Sequence, residues 1–182
     1  VYQNLIDRPD LSEAPRLSAM FKLGSAFLSG GLFDRAEQCF IQLMGTAHER
    51  EARQQLIHIY QSQQEWTQAI EMTQALKSAS QISQPNPLNQ HSPIVDSAPS
   101  DKLNTHTSNL SLSLVHFHCE LAIEAMRRQD WLVATHEIDA ALHERPKSIR
   151  AQSLRGQWYA AQNQHTQALT VWHDLAQAQP EA

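Results

Sequence analysis

The chain has 182 residues, 41 % of them hydrophobic, with a formal net charge of −5, enough to bury a sizeable core as one domain or two small ones. No Lys/Arg cluster is long enough to track a phosphate backbone, so a nucleic-acid partner is excluded. No apolar run nears the ~18 residues a bilayer span needs, and no signal-peptide pattern is present.

Glycine is scarce while Ala, Gln, Leu and Glu are common, a composition that favours helix over sheet. In chain order, residues 1–15 read as the tail of a preceding repeat. Val1–Ile6 already looks helical, with Tyr2 and Leu5 at apolar sites. Because the sequence opens on Val1 rather than Met, it is expected to be a piece of a longer protein.

Residues 16–78 are expected to hold two helix pairs, at about 16–30/33–45 and 49–63/66–78. Gly30-Gly31 supplies the first turn. Thr46-x-x-Glu49 has the form of a capping box opening the second pair. Residues 79–111 then break the pattern: residues 79–109 hold four of the eight prolines and many Ser, Asn and Gln. Such a composition cannot offset its ordering entropy by burial, so a disordered Pro/Ser-rich insertion is expected. A short binding motif around Pro93-Ile94-Val95, or a regulatory Ser/Thr site, is the functional alternative there. Residues 112–182 carry two further pairs, at about 112–128/131–144 and 148–162/165–178, with Pro146 and Pro180 marking where the second helices stop.

The pairs repeat one pattern. Ala36 and Ala69 are 33 residues apart, Ala134 and Ala168 are 34 apart, and the middle gap of 65 is one repeat plus roughly 31 residues. Four and seven residues beyond each Ala stand Phe40 and Leu43, Thr73 and Leu76, Ile138 and Ala141, Trp172 and Leu175. That spacing puts them on one helix face. Twelve residues before each Ala come Gly24, Ile57, Ala122 and Gly156, preceded by Leu23, Leu56, Leu121 and Arg155. Three beyond the small site come Phe27, Tyr60, Ala125 and Tyr159. Small residues at the crossing let two antiparallel helices approach, and larger ones a turn away reach the next repeat. Phe33, Trp66, Trp131 and His165 stand three before each Ala and close the short turns. A two-helix period of 34 residues is the tetratricopeptide pattern, whereas HEAT and armadillo repeats run about 40–47. The expected fold is therefore all-α: a tetratricopeptide-repeat solenoid of antiparallel helix pairs wound as a right-handed superhelix.

Catalytic and metal signatures are missing. Cys39 and Cys119 are about 80 residues apart with no CxxC pair; they read as reduced thiols, although a disulfide is possible in principle. In His116-Phe117-His118-Cys119 the two histidines point about 200° apart on a helix and cannot chelate one ion. His118 falls on the apolar stripe, while His116 and Cys119 face the groove. His136 and His143 have no third ligand. Gly30-Gly31 is followed by Leu32-Phe33 and not by the Lys-Ser/Thr of a phosphate loop, and no Gly-x-Ser-x-Gly elbow occurs. Glu49/Glu51 and Asp7/Asp10 sit where helix starts and turns ordinarily carry acids. No enzyme and no cofactor in these residues is expected.

Function is expected on the concave face lined by the first helix of each pair. The exposed sites there are Phe21, Ser25 and Leu28; Gln54, His58 and Gln61; Cys119, Ile123 and Met126; and Ser153, Gln157 and Ala160, with Arg127 and Arg150 nearby. Phe21 and Ser25 stand where a clamp for chaperone C-termini would need Lys and Asn, which argues against that use.

Four segments carry a narrower resemblance: Gly31-Leu-Phe-Asp-Arg-Ala-Glu37, Gln54-Gln-Leu-Ile-His-Ile-Tyr60, Glu65-Trp-Thr-Gln-Ala-Ile70 and His116-Phe-His-Cys-Glu-Leu-Ala122. They resemble the lipopolysaccharide assembly protein B family of Gram-negative bacteria, over residues 1–78 and 112–180. The resemblance implies an adaptor at the cytoplasmic face of the inner membrane, held there by an N-terminal anchor that these residues do not contain. It implies a C-terminal rubredoxin-type metal domain with two CxxC pairs, also outside them. The implied partners are the deacetylase of the committed step of lipid A synthesis, a membrane AAA+ metalloprotease that degrades it, and an inner-membrane lipopolysaccharide sensor. The competing expectations are a general scaffold of another envelope or secretion complex, and an enzyme or metal protein.

Overall fold

The computed structural model describes residues 12–82 and 100–178, with side chains for 12–80 and 107–178. Among these residues it contains eight helices and no strand: α1 Glu13–Ser29, α2 Phe33–Ile41, α3 Glu49–Gln63, α4 Trp66–Ile82, α5 Ser100–Arg127, α6 Trp131–Glu144, α7 Ile149–Ala161 and α8 His165–Ala178. The four expected pairs are α1/α2, α3/α4, α5/α6 and α7/α8. The expected tail at 1–8 lies outside the described residues, as does the motif at Pro93-Ile94-Val95.

Three boundaries differ from expectation. Residues 79–82 continue α4, and residues 100–111 form the start of a 28-residue α5, so both described edges of the expected insertion are helical. Ser80 and Leu110 are buried there, and that burial supports helix beyond the repeat length. Helix α2 ends at Ile41, and bonds from Leu43 N to Phe40 O and Met44 N to Ile41 O, both 3.1 Å, tighten the chain into the turn at Gly45. The capping box forms out of step. Thr46 Oγ1 accepts from His48 N at 3.2 Å and the Glu49 carboxylate accepts from Gly45 N at 3.1 Å. The helix proper starts at Glu49, two residues later than a Thr46 cap would place it.

The chain forms two compact units, Val1–Leu76 and Lys77–Ala182. In the first, α1 packs on α2 and α2 on α3. Ala36, Phe40, Leu43, Ala52, Leu56, Ile59, Ala69, Thr73 and Leu76 are buried. The one hydroxyl among them donates to the Ala69 carbonyl at 2.6 Å, so it enters the core without an orphaned group. Tyr60 donates to Glu37 at 2.7 Å; burial first, then that bond to an anion, pushes its phenol up.

In the second unit α5 packs on α6, α6 on α7, α7 on α8, and α5 also touches α7. A core of Val115, Cys119, Ala122, Ile138, Ala141, Ala151 and Leu154 joins α5, α6 and α7, with Ile123, Leu142 and Trp158 against it. His118 lies buried on α5, its Nδ1 at 2.7 Å from a Glu137 oxygen on α6. All four marker alanines, 36, 69, 134 and 168, are at most 1 % exposed. The expected second-helix stripe is buried in the first three pairs. In the fourth, Trp172 remains 38 % exposed.

Every pair closes by one turn geometry. Gly31, Gln64, Gln129 and Asn163 have φ of 72°, 61°, 60° and 60°. The next residue's N–H reaches back to Phe27, Tyr60, Ala125 and Tyr159 O at 2.8 to 2.9 Å. This is the six-to-one bond of a left-handed helix terminus. Leu32, Glu65, Asp130 and Gln164 then accept from Ala36, Ala69, Ala134 and Ala168 N at 3.0 to 3.1 Å, opening the next helix. The aromatic or His marker is in each case the first residue of the second helix.

Candidate protein-binding groove

On α1 the expected site residues belong partly to the core. The Phe21 ring meets Phe40 edge-on at 5.6 Å and stacks on His48 at 5.8 Å. Ser25 donates to the Phe21 carbonyl at 3.0 Å, a bond within its own helix. Leu28 is half-buried beside the turn. These three shape the first unit more than they offer a surface. On α3, Gln54, His58 and Gln61 are exposed, one turn apart along one face. They present amide and imidazole groups that bond a guest backbone equally well as donor or acceptor.

In the second unit the expected row is shifted. Cys119 is 1 % exposed and sits in the core, which corrects its assignment to the open face. The cause is α7: its Ala151 and Leu154 lie on the side of α5 that the repeat spacing alone leaves open. Burial pushes the Cys119 thiol to about 11 against an opposing pull from Arg150, so it is no nucleophile. The half-buried Cys39 thiol is also raised, by burial, and both cysteines are free thiols.

The open row of α5 is instead His116, Glu120, Ile123 and Arg127, spaced 4, 3 and 4 residues. Ile123 is partly covered by the core, Met126 is half-buried, and Arg127 is exposed. From α7 come exposed Arg150, half-buried Ser153, exposed Gln157 and half-buried Ala160. The two rows adjoin: Arg150 Nη1 lies 2.7 Å from His116 Nδ1, and its Nη2 pairs with Glu120. Glu120 was not legible as a site residue, because the repeat spacing places it between two expected positions. The surface therefore has an apolar centre, Ile123 with Met126, flanked by a Glu–His–Arg cluster and by Arg127. It offers anchoring and hydrogen bonding and brings no nucleophile and base together.

Among the described residues no three His, Cys, Asp or Glu side chains are grouped to hold a metal ion. No described helix is long and apolar enough to cross a membrane.

No family model matches the chain. The chain is similar to lipopolysaccharide assembly protein B of Escherichia coli K12, 26 % identical over 170 residues, 93 % of this chain. The proteins of that name from Escherichia coli O6:H1 and O157:H7 match with the same figures. The chain spans 37 % of the length of these curated relatives. Among solved structures, MamA of AMB-1 aligns over all of this chain and 80 % of that one, at 15 % identity and a TM-score of 0.49.

Proposed function

Starting from the similarity to lipopolysaccharide assembly protein B along 170 residues, we propose that this chain is the helical-repeat part of an adaptor that limits lipid A synthesis. It holds the deacetylase of the committed step and presents it to a membrane AAA+ protease, under restraint by an inner-membrane lipopolysaccharide sensor. The adaptor works at the cytoplasmic face of the inner membrane. Its N-terminal anchor and rubredoxin-type metal site would come from other parts of the polypeptide, since the two cysteines here form no CxxC pair and one is buried in the core.

The observation that carries the reading is the extent of the similarity. It runs through both helix-pair units, so it covers groove residues on α3, α5 and α7 as well as core positions. The surface formed by α5 and α7 in the second unit supports the same class of function, because it sets an apolar centre beside exposed polar side chains. A pull-down with the purified chain and the deacetylase, and separately with the protease's cytoplasmic part, tests it. Retention of either, lost on Gln157→Ala with Arg127→Ala, is the expected result. Retention of neither, with the metal domain also supplied, refutes the proposal. Capture of a different envelope or secretion component favours a general scaffold.

A further inference from the structure

We infer that His116, Glu120 and Arg150 form a proton-sensitive latch on the groove, holding the Arg150 guanidinium back while His116 is neutral and yielding it to a guest carboxylate once His116 is protonated. The inference deepens the groove reading by naming the partner chemistry, an acidic segment, and the condition under which it is taken.

The chemistry follows from which groups can donate. An arginine has five donors and no acceptor. The 2.7 Å contact from Arg150 Nη1 to His116 Nδ1 therefore requires a lone pair on Nδ1. In this arrangement His116 is neutral, with its proton on Nε2. Arg150 is held from two sides, by that lone pair and by the Glu120 carboxylate. Glu120 lies one helical turn from His116, with its Oε1 3.8 Å from the same Nδ1.

When a proton binds His116 Nδ1, the lone pair is consumed and Arg150 loses that acceptor. The new Nδ1–H then points a donor and a positive charge towards Glu120. Two cations now share one carboxylate, and Arg150 is held by half of its former partners. Its side chain is 45 % exposed, so it can turn outward. The Cys119 thiol also feels both Arg150 and Glu120, and at about 11 it stays neutral throughout. Histidine side chains in general change charge between pH 5 and 8, a range in which a guest's carboxylates remain ionised.

Side-chain NMR of the intact chain tests this without any partner protein. The Arg150 Nε–Hε signal and the His116 imidazole signals are followed from about pH 8 to pH 5.5. They are expected to move together, with Arg150 Hε exchanging with water several-fold faster at the acid end. In a His116→Phe variant the Arg150 signal is expected to stay constant. A blocked diglutamate peptide is expected to perturb Arg150 several-fold more at the acid end than at the alkaline end. An Arg150 signal that ignores His116, or that titrates unchanged in His116→Phe, overturns the latch. Equal perturbation by the peptide at both ends overturns the carboxylate assignment. Neither result touches the adaptor reading, which the pull-down decides.

Discussion

At the scale of single residues, the glycines twelve before Ala36 and Ala168 are seats for the large residues four after those alanines, Phe40 and Trp172. A Cβ on Gly24 would lie 3.0 Å from the Phe40 ring and 3.1 Å from Cys39 Cβ. A Cβ on Gly156 would lie 2.2 Å from Trp172 Nε1. The nominal clash is worse at Gly156, yet the outcome should be reversed. Phe40 is fully buried and wedged by Phe21, whereas Trp172 can swing outward. Overpacking costs about 1–3 kcal/mol, while replacing a mid-helix glycine by alanine returns about 1 kcal/mol. Gly24→Ala should therefore lower stability, by up to ~2 kcal/mol, in chemical denaturation. Gly156→Ala should stay within ~1 kcal/mol of the parent, while the Trp172 emission shifts to the red as the indole enters water.

The Glu137 carboxylate is the second residue-scale test. Burial alone would raise it. The hydrogen bonds from His118 and His136 together outweigh burial and hold it below its ordinary 4.5. A depressed carboxylate stabilises the fold above its unfolded-state value, and that contribution is lost as the pH falls through the folded-state value. Melting curves of the parent should therefore lose stability in the acid range below about pH 4.5. Glu137→Gln should be less stable at neutral pH and lose less on acidification. An acid limb unchanged by the substitution would remove this carboxylate from the account.

At the scale of elements, the repeated turn has a cost that differs among its four copies. Gly31 meets the left-handed φ without strain and its Cβ position is open. Gln64, Gln129 and Asn163 adopt the same φ with side chains. A left-handed residue other than glycine costs roughly 1–2 kcal/mol, less for asparagine. Gln129→Gly should accordingly stabilise the chain by ~0.5–1 kcal/mol once the entropy of the unfolded glycine is subtracted. Gly31→Ala should cost about 1 kcal/mol by the same reasoning, with no steric contribution because nothing lies within 4 Å. Paired urea titrations would show both signs, and two shifts of the same sign would contradict the argument. The turn positions could be located in the sequence from the aromatic that follows them. The residue type marks the left-handed φ at Gly31 and Asn163 but not at Gln64 and Gln129, because glutamine carries no preference for it.

For the whole molecule, stability rests on two cores, each built from several helices. Ile138 shows the size of the effect: it is 1 % exposed and lies where α5, α6 and α7 meet. Ile138→Ala should cost ~2–5 kcal/mol. That is a large share of the roughly 5–15 kcal/mol typical of a folded protein. It should appear as an earlier transition in the emission of Trp131 and Trp158. A transition unmoved by the truncation would mean that this cluster does not hold the second unit together.

The sequence by itself determined the helix pairs, their interval, the buried alanines and the stripe beside them. Each of these depends on residues within one helical hairpin, and periodicity records which face of a helix is apolar. It did not determine which face of α5 stays open. Cys119 and Glu120 are neighbours in the chain, yet one enters the core and the other meets Arg150. That choice was made by α7, whose packing against α5 brings Ala151 and Leu154 to one side and Arg150 to the other. The length of α5 was likewise hidden, because polar residues 100–109 resemble a loop until burial of the helix near Leu110 is seen. Local pattern sets what a helix can bury, and only the neighbouring helix decides what it does bury, because burial depends on residues about 30 positions away along the chain.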